Sequence, residues 1–199
     1  MLFLTEMPTE AREKILYSGL QLFTVNGYKN TSVLDIVELA KVSKTTFYQH
    51  FKSKEKLMVQ LVEEIATEII EEVTIAVKNE DRIGYMAYAG IRRYVGICFT
   101  DTKVANLLLV ESVGVSLEIE KVRHHAHRTL AELIVRTVDT ILPTTVSEMQ
   151  IRIISQAMIG AINEVVVQNF QEAEQEEDYD ELARLLNRMV IGSFVNLAY

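Results

Sequence analysis

The chain has 199 residues, 49% of them hydrophobic, and a formal net charge of −8. That length allows one large or two small domains with a sizeable core. A single cysteine, Cys98, excludes an internal disulfide framework and fits a reducing cytoplasm. Pro occurs twice and Gly eight times, a scarcity of breakers that favours long helices over many short strands. No apolar run reaches the roughly 18 residues of a membrane span. Residues 1–10 lack the basic stretch and long apolar segment of a signal peptide. No membrane segment and no leader are expected, and the expected location is the cytoplasm.

In chain order, the first helix starts after Pro8, with Thr9 as its N-cap and Glu10 in its first turn. Ile15, Leu16, Leu20, Leu22 and Phe23 give it a buried face. Asn26 and Gly27 end it, Gly27 supplying a left-handed position. A second helix starts at Ser32, with Asp35 three residues on as a short capping box. Val33, Ile36, Val37 and Ala40 form its inner side. A third follows the N-cap Ser43 and runs to about His50, anchored by Phe47 and Phe51 at i, i+4. Ser53 caps a long fourth helix over 54–78, where Leu57, Leu61, Ile65 and Ile69 recur at helical spacing. Asn79, Glu80 and Asp81 mark the first clear boundary. Beyond it the pattern predicts helices over 82–99, 101–112, 116–142, 145–170 and 180–197. Gly114, Pro143 with Thr144, and an acidic link over 172–178 separate the later ones. Thr145 with Glu148 reads as a capping box. The expected fold class is all-α, with about nine helices and no strand.

The first three helices, with a tight turn between the second and third, have the layout of a helix-turn-helix DNA reader. The charge distribution suits that reading. Residues 1–60 carry eight Lys/Arg and six Asp/Glu, a balance of +2, which leaves −10 for the remainder. Lys29, Lys41, Lys44, Lys52, Lys54 and Lys56 cluster around the reader, and phosphate responds to that local field. Ser43, Lys44, Thr45 and Thr46 supply the short polar end that a recognition helix exposes. Lys44 suits phosphate or a guanine edge, Thr45 a thymine methyl or phosphate, and Gln49 a bidentate pair with adenine. Tyr48 and His50 can donate to phosphate oxygens. The Lys54 ammonium would converge with backbone N–H groups on one phosphate. Thr31 and Ser32 either meet the opposite DNA strand across the turn or serve as caps only. Lys52 and Lys56, taken singly, read as solvated charges.

These residues resemble the DNA-binding domain of the tetracycline-repressor (TetR) family of transcriptional regulators. The resemblance rests on Phe23, Gly27, Thr31, Ser32, Ile36, Ala40, Val42, Ser43, Tyr48, Phe51, Ser53, Lys54 and Glu55, and covers about residues 10–60. It implies that Lys44, Thr45, Thr46, Tyr48, Gln49, His50 and Lys54 contact DNA, with Phe47 and Phe51 in the core. Two positions depart from the family pattern. Lys41 stands where the turn usually carries Gly, and Gly19 where the first helix usually carries Ala. Each is expected to lower local stability by up to roughly 1 kcal/mol. The resemblance also implies a helix-turn-helix domain over 1–55, and a helical effector-binding and dimerisation domain over 56–199.

The residues themselves agree on dimerisation. Ile151, Ile154, Ala157, Met158, Ala161, Ile162, Val165 and Val166 form an apolar stripe wider than one packing partner needs. Leu182, Leu185, Leu186, Met189, Val190 and Phe194 do the same in the last helix. Two such helices from each of two chains would form a four-helix bundle with two-fold symmetry. The expected homodimer interface is Ile154, Met158, Ala161, Ile162, Val165, Leu186, Met189, Val190 and Phe194; the alternative is that both faces bury within one chain. An effector pocket is expected among Tyr85, Tyr88, Tyr94, Cys98 and Leu108, with His124 and His127 as a polar rim, although the same residues also read as core. The spacing of His124, His125 and His127 could suit a metal, but Arg123 and Arg128 would repel a cation, so no metal is expected.

The resulting reading is a ligand-responsive transcriptional repressor that leaves a pseudo-palindromic operator when a small hydrophobic or amphipathic effector binds. Its partners would be double-stranded DNA, a second copy of the chain and that effector. The alternative is a DNA-bound adaptor that recruits a protein through its acidic helical half, with no small ligand. No nucleophile–base pair or phosphate loop is evident, so neither an enzyme nor a cofactor is expected.

Overall fold

The computed structural model of the protein describes residues 1–2, 4–139, 142, 145–170 and 176–197, with Ile83 and residues 176–178 described by backbone alone. Among the described residues there are nine α-helices and no strand. They are α1 (Ala11–Asn26), α2 (Val33–Ala40), α3 (Lys44–His50), α4 (Lys54–Lys78), α5 (Ile83–Thr100), α6 (Thr102–Asn106), α7 (Leu117–Val138), α8 (Glu148–Asn169) and α9 (Glu176–Val195). No helix among the described residues is long and apolar enough to cross a membrane.

Local chemistry sets the ends. The N-cap of α1 is Glu10, one residue later than expected, with no side-chain cap. Gly27 closes that helix at φ 80 and ψ 153, a positive-φ conformation outside the left-handed helical well. At α8 the capping box is Ser147 with Gln150, not Thr145 with Glu148. The Ser147 N–H donates to Gln150 Oε1 at 2.9 Å, and Glu148 moves into the first turn, where Arg152 Nε donates to its carboxylate. The break expected at Pro143 and Thr144 lies outside the described residues. So do residues 172–175 of the acidic link, whereas 176–178 belong to α9. The helix expected over 101–112 divides: α6 gives way to a π-helical turn at Leu107–Glu111, closed by the Ser112 N–H on the Leu107 carbonyl at 3.0 Å. The wider turn buries Leu107, Leu108 and Leu109 in succession.

The chain forms two compact units, one taking in Met1–Glu68 and Asp101–His124, the other Ile69–Thr100 and His125–Tyr199. In the first, Leu16, Phe23, Ile36, Phe47, Leu57 and Leu61 form a closed core. A Cβ added at Gly19 would lie 3.0 Å from Leu57 Cδ2 and 3.2 Å from Leu61 Cδ1, so the glycine lets α1 approach α4. In the second unit α5 packs along α9 and α8 against α9. A Cβ at Gly90 would meet Val77 Cγ2 at 2.8 Å, so this glycine admits the end of α4 against α5. Asp180 clamps α5 to α9: it accepts from Tyr88 Oη at 2.6 Å, Arg92 Nε at 2.6 Å and Arg184 Nε at 3.0 Å. Those donors hold its carboxyl well below the usual carboxylate range, the Tyr88 bond contributing most.

Candidate nucleic-acid interface

The α2–α3 pair is built from two caps and one strained turn. Ser32 Oγ accepts from the Asp35 N–H at 3.2 Å, and Asp35 Oδ2 accepts from the Ser32 N–H at 2.7 Å. That backbone bond is the main cause that lowers the Asp35 pKa. α2 stops at Lys41, whose φ of 53 and ψ of 45 are left-handed helical. Its N–H turns back to the Glu38 carbonyl, and the Val42 N–H reaches the Val37 carbonyl at 3.1 Å. Ser43 then caps α3, its Oγ accepting from the Thr46 N–H at 3.0 Å.

Phe47 is completely buried and stands edge-on to Tyr48, 5.3 Å between ring centroids. With that anchor inward, Lys44, Thr45, Tyr48, Gln49 and His50 are all exposed along α3. A short helix is thus held by one aromatic and one serine cap while five polar or aromatic side chains stand outward. Such a surface can enter a major groove and reach base edges and phosphates.

Three other expected contacts sit differently. Thr31 is buried at 1% exposure, and its hydroxyl donates to the Gly27 carbonyl at 2.9 Å and the Leu22 carbonyl at 3.2 Å. Its side chain staples the α1–α2 turn and does not face outward. Thr46 is half-buried, with its hydroxyl 2.8 Å from Ser43 Oγ. Lys54 turns inward: Nζ donates to the Tyr28 carbonyl at 2.6 Å and the Thr31 carbonyl at 2.7 Å, and lies 4.2 Å from the Tyr28 ring centre. Burial lowers its pKa. Two of its three donors therefore hold the turn together. Ser32 is exposed, but its hydroxyl is shared with Asp35. Lys56, expected to be solvated, pairs with Glu118 at 2.6 Å. Glu111, in the π-helical turn, accepts the Tyr28 N–H at 3.2 Å; nothing in its sequence neighbourhood announces that contact.

The second unit holds a cavity of about 420 Å³, partly open to solvent, between α4, α5, α7, α8 and α9. Val77, Met86, Ile91, Leu130, Leu133, Ile134, Ile159, Ile162, Val190 and Phe194 line it, interrupted by Tyr94, Thr137 and Asn163. Of the seven pocket residues expected from sequence, Tyr94 alone is in this wall. Tyr85 is exposed, with the Arg82 guanidinium 3.8 Å from its ring centre. Tyr88 is tied to Asp180. Cys98 is fully buried core, and Leu108 belongs to the first unit. His124 is exposed. His127 stands behind the wall, with Nε2 2.8 Å from Asn163 Nδ2. Among the described residues no three His, Cys, Asp or Glu side chains converge as metal ligands would.

Four residues expected at a dimer interface point inward instead. Ile162, Leu186, Val190 and Phe194 are buried within this chain, three of them against the cavity. Ile154, Met158, Ala161 and Val165 are half-buried. The open apolar side of α8 carries Met149, Ile153, Ala157 and Gly160, and that of α9 carries Leu185 and Met189. At about 100° per residue these lie roughly 95–130° round the helix from the predicted stripe, because α8 has apolar residues on both sides.

Residues 15–61 match the family model of bacterial regulatory proteins, tetR family. The transcriptional repressor DhaR of Mycobacterium sp. (strain GP1) is 36% identical over 61 residues, which cover 31% of this chain and 31% of DhaR. The transcriptional regulator QacR of Staphylococcus aureus is 41% identical over 51 residues, covering 26% and 27%. The matched stretch thus spans about a third or less of these relatives. The fold extends further. The fatty acid degradation regulator FadR from Bacillus halodurans superimposes with a TM-score of 0.79 at 16% identity, covering 94% of this chain and 97% of that one. FadR from Bacillus subtilis, solved in complex with stearoyl-CoA, gives 0.76 at 20% identity, covering 90% and 97%. Residues 15–61 thus carry a helix-turn-helix domain of the tetR family of bacterial regulatory proteins.

Proposed function

We propose that the protein is a transcriptional repressor that binds a pseudo-palindromic operator as a homodimer and is released by a small apolar effector. The observation that carries this is the outward row of Lys44, Thr45, Tyr48, Gln49 and His50 on α3, fixed by the buried Phe47. Residues 1–55 act as the reader. The remainder, 56–199, holds the effector and the second copy. A dimer would pair the exposed faces of α8 and α9 around Met149, Ile153, Leu185 and Met189, setting two α3 helices one helical turn of DNA apart. The cavity supports the effector half of the reading and weighs against an adaptor with a closed core. An effector acts only by binding the released state better than the DNA-bound one.

A gel-shift titration at low salt, against the DNA upstream of the protein's own and neighbouring genes, tests the proposal. Binding to a pseudo-palindromic site, with two chains per duplex, is the expected result. No affinity for any such site would overturn it.

A further inference from the structure

The polar side chains of the described cavity wall are Tyr94, Thr137 and Asn163; the Thr137 hydroxyl donates to the Leu133 carbonyl, and the other two are linked. The Tyr94 hydroxyl donates to Asn163 Oδ1 at 2.5 Å, and Asn163 Nδ2 faces His127 Nε2 at 2.8 Å. With Oδ1 accepting the Tyr94 proton, Nδ2 is left to face His127 Nε2 as a donor. A primary amide offers two N–H donors and two acceptor sites on oxygen. These two bonds engage one donor and one acceptor site of Asn163, a side chain that lines the cavity. One N–H and one lone pair remain for a guest.

The rest of the wall decides what else the guest can be. Among the described lining residues none carries a formal charge. A carboxylate or phosphate carried into this space would leave water without a counter-charge, which is strongly disfavoured. A volume of about 420 Å³, filled at interior density, holds a molecule of up to roughly eighteen non-hydrogen atoms. We infer that the cavity takes a neutral lipophile with a single hydroxyl or carbonyl oxygen, read by Asn163, its apolar body filling the space between α5, α7 and α9. This rests on the reading of the cavity as the effector site.

The test is displacement of Nile red from the full-length protein, without DNA, by dodecanol, dodecane, dodecanoate and dodecanoyl-CoA. At neutral pH dodecanol is expected to bind at least about tenfold more tightly than dodecanoate or dodecanoyl-CoA. Lowering the pH towards that of the fatty acid's own ionisation should tighten dodecanoate binding, since the neutral acid then enters. Asn163→Leu should weaken dodecanol about five- to tenfold relative to dodecane. The comparison of ligands on the unmodified protein stands even where that variant does not fold. Equal or tighter binding of the charged probes, or equal loss of dodecanol and dodecane in the variant, would overturn the inference while leaving an effector site in place. If neither Nile red nor any probe binds, the effector reading fails with it.

Discussion

Lys54 Nζ lies 2.7 Å from the Thr31 carbonyl oxygen and 2.6 Å from that of Tyr28, so the first residue of α4 closes the turn that leads into α2. The same position is the middle of the Ser53, Lys54, Glu55 run that carries the family resemblance, and its role here is an internal tie. Charge-assisted bonds to backbone carbonyls are stronger than neutral ones, and partial exposure discounts them. Lys54→Met should therefore lower unfolding free energy by about 1–2 kcal/mol in urea titration. Unchanged stability with weakened DNA binding would return Lys54 to the surface role that its sequence position suggests.

Lys41 is the one non-glycine residue with positive φ among the described residues. Glycine occupies that conformation without the Cβ clash, so Lys41→Gly should raise stability by about 0.5–1 kcal/mol. The same change removes an exposed cation beside α3. DNA binding at low salt should weaken, and the urea midpoint should move up at the same time.

Lys44 and Gln49 should separate by the kind of loss they cause. Lys44→Ala is expected to weaken all DNA sequences about equally and to reduce the salt slope of log K by about 1. Competition assays over a salt series measure it. A loss confined to particular base positions would instead place Lys44 on a base edge.

Asp180 gives the fold a pH-dependent clamp. Its carboxyl is held below the usual range by Tyr88, Arg92 and Arg184, so the folded chain binds its proton less readily than the unfolded chain. The contribution is complete above the unfolded value of about 3.9 and fades as the pH falls below it. Asp180→Asn should melt at a lower temperature than the unmodified protein at pH 7, and the gap should narrow in melts below about pH 4. A gap that stays constant with pH would mean that the amide's shape, not the lost charge, causes it.

Much of the reader was legible because its cues are local. Ser32 with Asp35 and Ser43 with Thr46 are caps that sequence spacing states directly, and both form. Phe47 and Phe51 read as core and are buried. Lys54 turns inward because the carbonyls it serves, those of Thr31 and Tyr28, lie 23 and 26 residues earlier in the chain, and Thr31 because its hydroxyl turns to the Leu22 and Gly27 carbonyls, 9 and 4 residues earlier. The cavity was not legible on α5, since an apolar helix face that lines a space and one that fills it have the same periodicity. Asn163 was the overlooked cue: an amide set among Ile159, Ile162 and Val166 on α8 needs partners when buried, and it finds Tyr94 and His127. Gly19, which reads as a loosened helix, proves to be the place where α1 meets Leu57 and Leu61.

On the proposed function, α3 reads base sequence. Selection of bound duplexes from a random-sequence DNA library, run in parallel with the unmodified protein and Gln49→Ala, tests it most directly. The unmodified protein should enrich an inverted repeat, and the variant a repeat altered at the same base position in both half-sites, consistent with one lost bidentate contact of about 1–3 kcal/mol. No enriched sequence, or an identical repeat from both proteins, would contradict it.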